Sequence, residues 1–316
     1  MLPGRMQGRL RVSQSAIKTD ETARFADALS AIKRAVETRL DELLPRGGEP
    51  SLAARHSLLA PGKRLRAVLT VLAARQCAKG DLDEAGLVDV ACAVEMVHTA
   101  SLVFDDLPAM DDADMRRGVV TPHKLYGDDV AILAGIGLLN GAFGVVAGAP
   151  GLDAQQRVEI VEVLSRAIGW TGLVQGQAMD LRGPEGASVE DVHHGKTGAL
   201  FVAAALAGAA CAGTSASERA PLVTYGRELG LAYQALDDVL DHVASDAAAG
   251  KSTGKDVGKR TAVVLGSVPS DGLAAAKARA ERHLSLAAAA ASASCADSHL
   301  AALTGHVRAH FARLDA

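Results

Sequence analysis

The apolar residues of this 316-residue chain recur at intervals of three and four along most of its length. The stripe through Phe25, Leu29, Ile32, Val36 and Leu40 is the clearest case. Such spacing places the residues on one face of an α-helix, whereas no window alternates at period two as a half-buried strand would. The apolar residues are largely Ala, Leu and Val, and only 3% of the chain is aromatic, which favours helix over sheet. The sequence therefore predicts an all-α protein.

The predicted helices follow one another without a Pro/Ser-rich linker or a fixed internal repeat, so we expect one helical domain. Residues 1–18 are expected to form a loose tail and residues 19–316 the domain. The first helix is predicted to start near Asp20 and to end before the Pro-Arg-Gly-Gly segment at 45–48. Later helices are predicted at residues 63–78, 84–106, 128–147, 153–180, 188–212, 215–243, 270–291 and 298–313.

Net charge, cysteine spacing and the N-terminus indicate which partners and which cellular compartment to expect. A net charge of -4 and a pI near 6.2 give no reason to expect a nucleic-acid partner. Cys77, Cys92, Cys211 and Cys295 form no CxxC pair, so they are expected to be reduced thiols in a cytoplasmic protein. The basic N-terminus has no apolar core, so a secretory signal is not expected.

One uncharged segment, residues 130–152, is long enough to span a bilayer. It contains several glycines, Asn140 and Pro150, and much of its apolar content is Ala, so its hydrophobicity is modest. We therefore predict a central core helix rather than a membrane span. The uncharged residues 198–213 are interpreted in the same way.

Two clusters of aspartates interrupt this apolar sequence. They consist of Asp105, Asp106 and Asp111, and of Asp237, Asp238 and Asp241. Ionised carboxylates are costly to bury unless something positive neutralises them. Two facing clusters supply oxygen ligands that suit hard divalent cations. Such a site is most useful for a substrate that brings its own negative charge, as a diphosphate does.

The spacing within each cluster places its carboxylates together. His98 and Asp105 are seven residues apart, so two helical turns bring them to one face. The insert at 107–110 contains a proline and is expected to break the helix, which lets Asp105 and Asp111 converge. Asp237 and Asp241 are four residues apart and share a helix face. Like charges this close are unfavourable without cations.

Cationic residues flank both clusters. Arg116 and Arg117 have two interpretations, a salt bridge or a bidentate clamp on phosphate oxygens, and the second acidic cluster favours the clamp. The Gly-Lys-Arg-Leu-Arg segment at 62–66 offers an anion site at a helix start. Lys196 lies in an otherwise uncharged helix and therefore needs an anionic partner.

Two further features stay open from the residues alone. Gln175, Gln177 and Asp180 lie on an apolar helix, where hydrogen bonding between helices and a ligand role are equally good explanations. The lysines at 251, 255 and 259, spaced by four in a Gly-rich stretch, form either a solvated basic loop or a lid that adds positive charge.

In this order the motifs resemble the trans-isoprenyl diphosphate synthases of the polyprenyl synthetase family, especially its bacterial geranylgeranyl diphosphate synthases of the carotenoid type. The resemblance extends over residues 25–265, and its most specific part is the pair of aspartate motifs. Further matches are at residues 62–66, 95–98, 116–118, 172–177, 196–198, 233–234 and 250–251. It implies an α-helical bundle around a deep cavity and a homodimer.

The resemblance also implies roles for individual residues. Mg²⁺, three ions per active site with Mn²⁺ as a substitute, would be held by Asp105, Asp111, Asp237 and Asp241, with Asp106 and Asp238 in support. The allylic diphosphate would be held by Arg116, Lys196, Thr197, Gln234 and Lys251. Isopentenyl diphosphate would be held by Gly62, Lys63, Arg66, His98 and Arg117. The residues expected to be catalytic are the six aspartates, Arg116 and Lys196.

The implied reaction is a head-to-tail condensation. The allylic C–O bond breaks as cations stabilise the leaving diphosphate, and the alkene of isopentenyl diphosphate attacks the allylic carbon in a dry cavity. The released diphosphate is expected to take the proton. Product length is expected to depend on Ala100 and Ser101, just before the first aspartate. Because the side chain of Ala100 is only a methyl group, we expect a deep cavity. The main product is therefore expected to be geranylgeranyl diphosphate, which has 20 carbons.

Three other functions are alternatives to geranylgeranyl diphosphate synthesis. A farnesyl (C15) or longer-chain synthase would differ only in cavity depth. A terpene cyclase and a non-catalytic synthase subunit would normally have lost one aspartate cluster, and both clusters are intact here. The chain departs from the family at Ile136, where many farnesyl synthases carry Asp, and at residues 256–261, which are shortened.

Overall fold

A computed structural model describes residues 14–183, 186, 188–243, 272–294 and 298–312. The first half contains α1 Gln14–Leu43, α2 Glu49–Leu58, α3 Leu65–Cys77, α4 Glu84–Asp105, β1 Met115–Arg116, β2 Val119–Val120, α5 Pro122–Tyr126 and α6 Asp128–Gly148. The second half contains α7 Ala154–Ile168, α8 Leu173–Arg182, α9 Val189–His193, a π-helical segment His194–Gly198, α10 Ala199–Cys211, α11 Ala216–Val243, α12 Gly272–Ser294 and α13 His299–Ala312. The all-α prediction is confirmed.

The predicted helix boundaries hold for most elements, with a few corrections. The first helix begins at Gln14 rather than near Asp20, and α2 and α5 were not predicted. The single helix predicted at 153–180 is divided at Gly169–Gly172, because a Cβ at Gly172 would lie 2.2 Å from the carbonyl oxygen of Ala167. The helix predicted at 188–212 is interrupted by the π-helical segment.

A two-stranded hairpin corrects the expectation of no sheet. Met115 pairs with Val120 and Arg116 with Val119 in an antiparallel ladder. The two connecting residues, Arg117 and Gly118, have φ angles of 54° and 80°. Positive φ at both central residues is what a tight two-residue hairpin turn requires. A ladder of two residues per strand is too short to produce visible alternation in the sequence.

Helix α10 lies at the centre of the bundle, where it packs against α3, α4, α7 and α11. Glycines allow these helices to approach closely. A Cβ at Gly208 would lie 2.1 Å from the carbonyl oxygen of Thr70 on α3, and one at Gly226 would lie 2.7 Å from the Cα of Val202. The prediction that the uncharged residues 198–213 form a core helix is therefore confirmed.

Two described helices, α4 and α6, are long and apolar enough to cross a membrane by length and composition alone. The apolar window of α4 is 83% buried inside the protein, whereas that of α6 is only 39% buried. One face of α6 packs on α4, and the other exposes Ile132, Leu133 and Ile136. The prediction of a central core helix thus describes only one face of α6.

The three cysteines in the described residues, Cys77, Cys92 and Cys211, are free thiols. Cys92 and Cys211 are buried, and burial raises the pKa of the Cys211 thiol to about 12. Such thiols are protonated at neutral pH and act as small apolar side chains. Cys295 lies outside the described residues.

Candidate active site

The first aspartate cluster lies in a tight turn at the C-terminal end of α4. The backbone N–H of Asp111 donates to the carbonyl oxygen of Asp105 at 2.8 Å, and that of Ala113 donates to Asp106 at 3.2 Å. Within the insert, the N–H of Met110 donates to Leu107 at 2.9 Å. The insert therefore folds back on itself and returns Asp111 to the end of the helix, as its sequence predicts.

Asp105 lies in an environment that makes its ionised form costly. The pKa of this carboxyl group is raised to about 6, mainly by burial; Asp111 and Asp106 act in the same direction, whereas Lys196 and Arg116 oppose the shift. The carboxylates thus lie close enough to repel one another. A bound cation would relieve that repulsion.

Asp106 and Arg116 form a buried ion pair. Arg116 Nε donates to Asp106 Oδ1 at 2.7 Å and Oδ2 at 3.0 Å, and Nη2 donates to Oδ1 at 2.5 Å. Only 2% of Asp106 is exposed, and burial raises its pKa although the guanidinium opposes the shift. The salt-bridge interpretation of Arg116 thus describes this structure, and Asp106 is directed at Arg116.

Lys196 has the anionic partner that its position required. Its Nζ donates to Asp180 Oδ2 at 2.7 Å, and Asp105 and Asp180 raise the lysine pKa against the effect of burial. The contact depends on two glycines, because a Cβ at Gly176 would lie 2.3 Å from the backbone nitrogen of Lys196, and Gly195 faces Gly176. Of the two explanations offered for Asp180, a contact between helices is the one observed.

The π-helical segment also connects Thr197 to α11. Thr197 Oγ1 donates to Gln234 Oε1 at 2.9 Å. Gln177 on α8 is buried, and its Oε1 has no hydrogen-bond partner among the described residues. Its Nε2 lies 4.0 Å from Met110 Sδ, so Gln177 contacts the insert of the first aspartate cluster.

The second cluster is described only in part. Asp237 on α11 opposes the effect of burial on Lys63, whose pKa is lowered, and it acts in the same direction on Arg66. The side chains of Asp238 and Asp241, and Lys251, Lys255 and Lys259 entirely, lie outside the described residues. The predicted contacts between the two aspartate clusters therefore remain predictions for those residues.

The five residues predicted to hold the second substrate do come together. Arg66 Nη1 and Arg117 Nη2 each lie 3.1 Å from His98 Nε2. A Cβ at Gly62 would lie 3.1 Å from Arg117 Nη1, so a larger residue here would press on this guanidinium group. Lys63 Nζ lies 5.4 Å from the ring centroid of Tyr233.

His98 is held neutral by its surroundings. Burial lowers its pKa well below the usual range, and Arg66 and Arg117 lower it further. A neutral imidazole can leave Nε2 unprotonated, so that this nitrogen accepts from both arginines. His98 therefore orients two guanidinium groups toward the same space.

The hairpin distributes its two arginines between the two parts of the site. Arg116 reaches the aspartate cluster and Arg117 reaches His98. Arg116 ends β1, whereas Arg117 occupies the turn with a φ of 54°, so the two side chains leave the hairpin at different places. The spacing of the residues placed both arginines beside the first cluster, and only the family resemblance assigned them to different substrates.

Two charged residues were not predicted as part of the site. Arg64 has a φ of 51° at the start of α3 and is 3% exposed, and Glu95 on α4 is 1% exposed. The available signal was the carboxylate of Glu95 among apolar residues of a helix, one turn before His98. Such a residue is rarely fully buried without a partner.

Ala100 is buried on the face of α4 that packs against α6. Its neighbours one turn away, Met96 and Phe104, lie over glycines of α6. A Cβ at Gly135 would lie 2.6 Å from the Phe104 ring, and one at Gly141 would lie 2.9 Å from the Met96 methyl group. Ser101 Oγ donates to the carbonyl oxygen of His98 at 2.7 Å. The roles of Ala100 and Ser101 in product length stay predictions.

The donor set is suited to magnesium. Among the described side chains, no three carboxylates, histidines or cysteines already stand close enough to bind an ion by themselves. Magnesium is characteristically bound by one or two carboxylates together with substrate phosphates rather than by a complete protein cage. Asp105, Asp111 and Asp237 supply hard oxygen ligands of that kind.

Comparisons with known proteins agree with this geometry. The sequence profile of the polyprenyl synthetase family matches residues 51–292. The chain is 43% identical to a geranylgeranyl diphosphate synthase of Pantoea ananas, over 86% of this chain and 90% of that one, and 41% identical to one of Pseudescherichia vulneris, over 67% and 71%. A geranyltransferase from Helicobacter pylori, solved in complex with magnesium and isoprenyl diphosphate, superimposes with a TM-score of 0.76 at 27% identity, over 91% of this chain and 96% of that one. The chain belongs to the polyprenyl synthetase family.

Proposed function

We propose that the protein condenses isopentenyl diphosphate with allylic diphosphates in a magnesium-dependent reaction, with geranylgeranyl diphosphate as the main product. The observation that supports this best is the presence of two cationic groups, each within electrostatic reach of an aspartate. Asp105 raises the pKa of Lys196, and Asp237 opposes the effect of burial, which lowers the pKa of Lys63 and of Arg66. Two anionic substrates that must react with each other need two such groups. The names of the bacterial relatives support the same activity.

The allylic diphosphate is assigned to the group around Lys196. Asp105, Asp111 and Asp237 would hold Mg²⁺, three ions in all, with Asp238 and Asp241 completing the set. The bound ions would neutralise the diphosphate as it leaves. Lys196, Thr197, Gln234 and Lys251 add donors to its oxygens. Asp106 would act by holding Arg116, because the two side chains already pair.

Isopentenyl diphosphate is assigned to Gly62, Lys63, Arg66, His98 and Arg117. Guanidinium groups bind phosphate oxygens through paired hydrogen bonds, and His98 already holds two of them. The absence of a side chain at Gly62 leaves the backbone accessible at the start of α3.

The proposed chemistry balances without a dedicated general base. The C1–O bond of the allylic substrate breaks, and diphosphate leaves with the electron pair. The alkene of isopentenyl diphosphate attacks C1 and forms the new C–C bond. The proton lost from the resulting cation goes to the released diphosphate. The protein's part is to place both substrates, to stabilise the departing charge through Lys196 and Arg116, and to exclude water.

A homodimer is part of the proposal. Ile132, Leu133 and Ile136 are 40%, 53% and 53% exposed on one face of α6. Contiguous exposed apolar side chains on a helix characteristically mark a protein–protein interface. A second copy of the chain, related by twofold symmetry, would cover this face. We place the enzyme in the cytoplasm.

The test uses purified protein, radiolabelled isopentenyl diphosphate and Mg²⁺, with dimethylallyl, geranyl and farnesyl diphosphates offered separately. After dephosphorylation we expect a C20 alcohol from all three primers. Chelation of Mg²⁺ should abolish incorporation, and Asp105→Asn should reduce it about 100-fold or more. A C15 product with unused farnesyl diphosphate would identify a farnesyl synthase instead. No incorporation with any primer would identify a non-catalytic subunit.

A further inference from the structure

Four cationic side chains surround the space assigned to isopentenyl diphosphate: Lys63, Arg64, Arg66 and Arg117. They lie close together, since a Cβ at Gly62 would lie 3.1 Å from Arg117 Nη1 and 3.5 Å from Arg64 Nη1. Arg66 and Arg117 also share one acceptor, His98 Nε2. Before substrate binds, these charges repel one another in a partly desolvated site. Something else must hold them in place.

Glu95 lies directly behind this group. Its Oε1 accepts from the backbone N–H of Ala67 at 3.2 Å, in the first turn of α3. Its Oε2 lies 3.9 Å from Arg64 Nη1, and 2% or less of either side chain is exposed. Arg64 Nη1 and Arg66 Nε are buried without hydrogen-bond partners among the described residues. One carboxylate thus contacts both the helix that carries Arg66 and the segment that carries Arg64.

The charge of Glu95 also extends to the two arginines that meet at His98. Burial lowers the pKa of Arg66 and of Arg117, and in both cases the largest opposing contribution comes from Glu95. Arg64 has a second anchor, since its Nε donates to Glu37 Oε1 on α1 at 3.3 Å and its Nη2 to the carbonyl oxygen of Ala60 at 2.8 Å. Glu37 is more exposed, so Glu95 is the counter-charge on the buried side.

We propose that Glu95 is a positioning residue for isopentenyl diphosphate. It contacts the start of α3 and Arg64, and through them it holds the arginines in the arrangement that receives the diphosphate before the substrate arrives. This inference rests on the proposed function of the same site. Glu95 does not touch the substrate, because it lies in the layer beneath the guanidinium groups.

Neutralising Glu95 changes the affinity for diphosphate in opposite directions for a positioning role and for a purely electrostatic role. If Glu95 served only as a negative charge near a site for an anion, its neutralisation would strengthen diphosphate binding. If it positions the cations, neutralisation lets Arg64, Arg66 and Arg117 move apart, and binding weakens because its entropic cost rises.

Glu95→Gln is the primary variant, because the amide keeps the size of the side chain and can still accept from Ala67. Glu95→Asp is the second variant, because it keeps the charge and withdraws the carboxylate from Ala67 and Arg64. Asp89→Asn is the matched control. Asp89 is a buried carboxylate on the same helix, paired with Arg39 at 2.7 Å and not in contact with the site.

Binding of isopentenyl diphosphate alone is measured by calorimetry, and steady-state kinetics give KM for each substrate. We expect Glu95→Gln to raise the Kd and the KM for isopentenyl diphosphate about tenfold, or about 1.4 kcal/mol, with the allylic KM and kcat within about twofold. Glu95→Asp should also weaken binding, and Asp89→Asn should leave it unchanged.

Each contrary result has a separate meaning. Equal or tighter binding of isopentenyl diphosphate by Glu95→Gln overturns the positioning role while the proposed function stands. Equal losses for both substrates, or the same loss in Asp89→Asn, also overturn it, since they indicate a general effect on folding. If Glu95→Gln does not fold, wild-type binding by Glu95→Asp decides against the inference. Wild-type protein that incorporates no isopentenyl diphosphate into product overturns the proposed function itself.

Discussion

At the scale of single residues, several charged side chains of the described site are held by partners ten or more residues away in the sequence. Lys196 pairs with Asp180, Arg116 with Asp106, and Arg66 with His98. The sequence predicted that Lys196 needs an anion, because a lone lysine in an apolar helix has no other explanation. It could not identify Asp180 as that anion, because the pairing depends on how α8 crosses the π-helical segment.

We predict that Asp180→Asn destabilises the protein. The substitution leaves Lys196 charged and mostly buried without its nearest counter-charge, although Asp105 remains nearby. We expect a loss of about 1–3 kcal/mol in the free energy of unfolding, measured by urea denaturation at neutral pH. The control is Glu162→Gln, which breaks an exposed pair with Arg166 and should change stability by less than about 0.5 kcal/mol.

A second prediction concerns stability at acidic pH. Burial lowers the pKa of His193 to about 4, so between pH 6.5 and 4 the unfolded state binds a proton that the folded state does not. The contribution of neutral His193 to the free energy of unfolding is therefore fully present above pH 6.5. As the pH falls towards 4, the free energy of unfolding decreases by up to about 3 kcal/mol.

His193→Gln should flatten the dependence of the urea midpoint on pH between 7 and 4.5. His299→Gln, on an exposed position at the start of α13, is the control and should follow the wild type. Parallel curves for wild type and His193→Gln would show that this histidine is not the group responsible.

At the scale of secondary structure, periodicity located most helices but not their interruptions. The spacing of Leu, Ile and Val fixed the long helices, because each buries one stripe. The π-helical segment could not be predicted from the apolar periodicity, because a single widened turn shifts that spacing by only one residue. Helix α5 has five residues, too few to show a period.

The crossing of α8 and the π-helical segment gives a third prediction. A Cβ at Gly176 would lie 2.3 Å from the backbone nitrogen of Lys196, so Gly176→Ala must push the two elements apart. We expect a loss of about 1–3 kcal/mol in stability and a larger KM for the allylic substrate. Gly305→Ala in α13 meets nothing within 4 Å and should be neutral or stabilising by up to about 1 kcal/mol, as measured by thermal denaturation. Equal effects of the two substitutions would argue against the crossing as the cause.

The packing of α4 on α6 gives a fourth prediction. Ala100 is a methyl group on the face where Phe104 and Met96 already fill the space above Gly135 and Gly141. Ala100→Tyr would place a ring in the path proposed for the growing chain, and we expect the product to shorten from C20 towards C15. Product sizing with geranyl diphosphate as primer measures this. An unchanged product distribution in an active, folded variant would refute the role of Ala100.

At the scale of the whole molecule, the apolar face of α6 predicts self-association. We expect the wild type to elute as a dimer in size-exclusion chromatography with light scattering, and Ile136→Glu as a monomer. Leu286→Glu is the control, because Leu286 is 47% exposed on α12 and lies on a different helix. A monomeric wild type, or dissociation by the control as well, would contradict this interface.

The hairpin at residues 115–120 has one further consequence. Arg116 ends β1 and Arg117 begins the turn that follows it, yet one contacts the aspartate group and the other contacts His98. We expect a diphosphate that draws Arg116 away from Asp106 to move Arg117 as well, because the two residues are adjacent in a two-residue hairpin turn. The two substrates therefore should not bind independently. Linkage requires that each substrate alters the affinity for the other by the same factor. We therefore expect this hairpin to couple the binding of the two reactants.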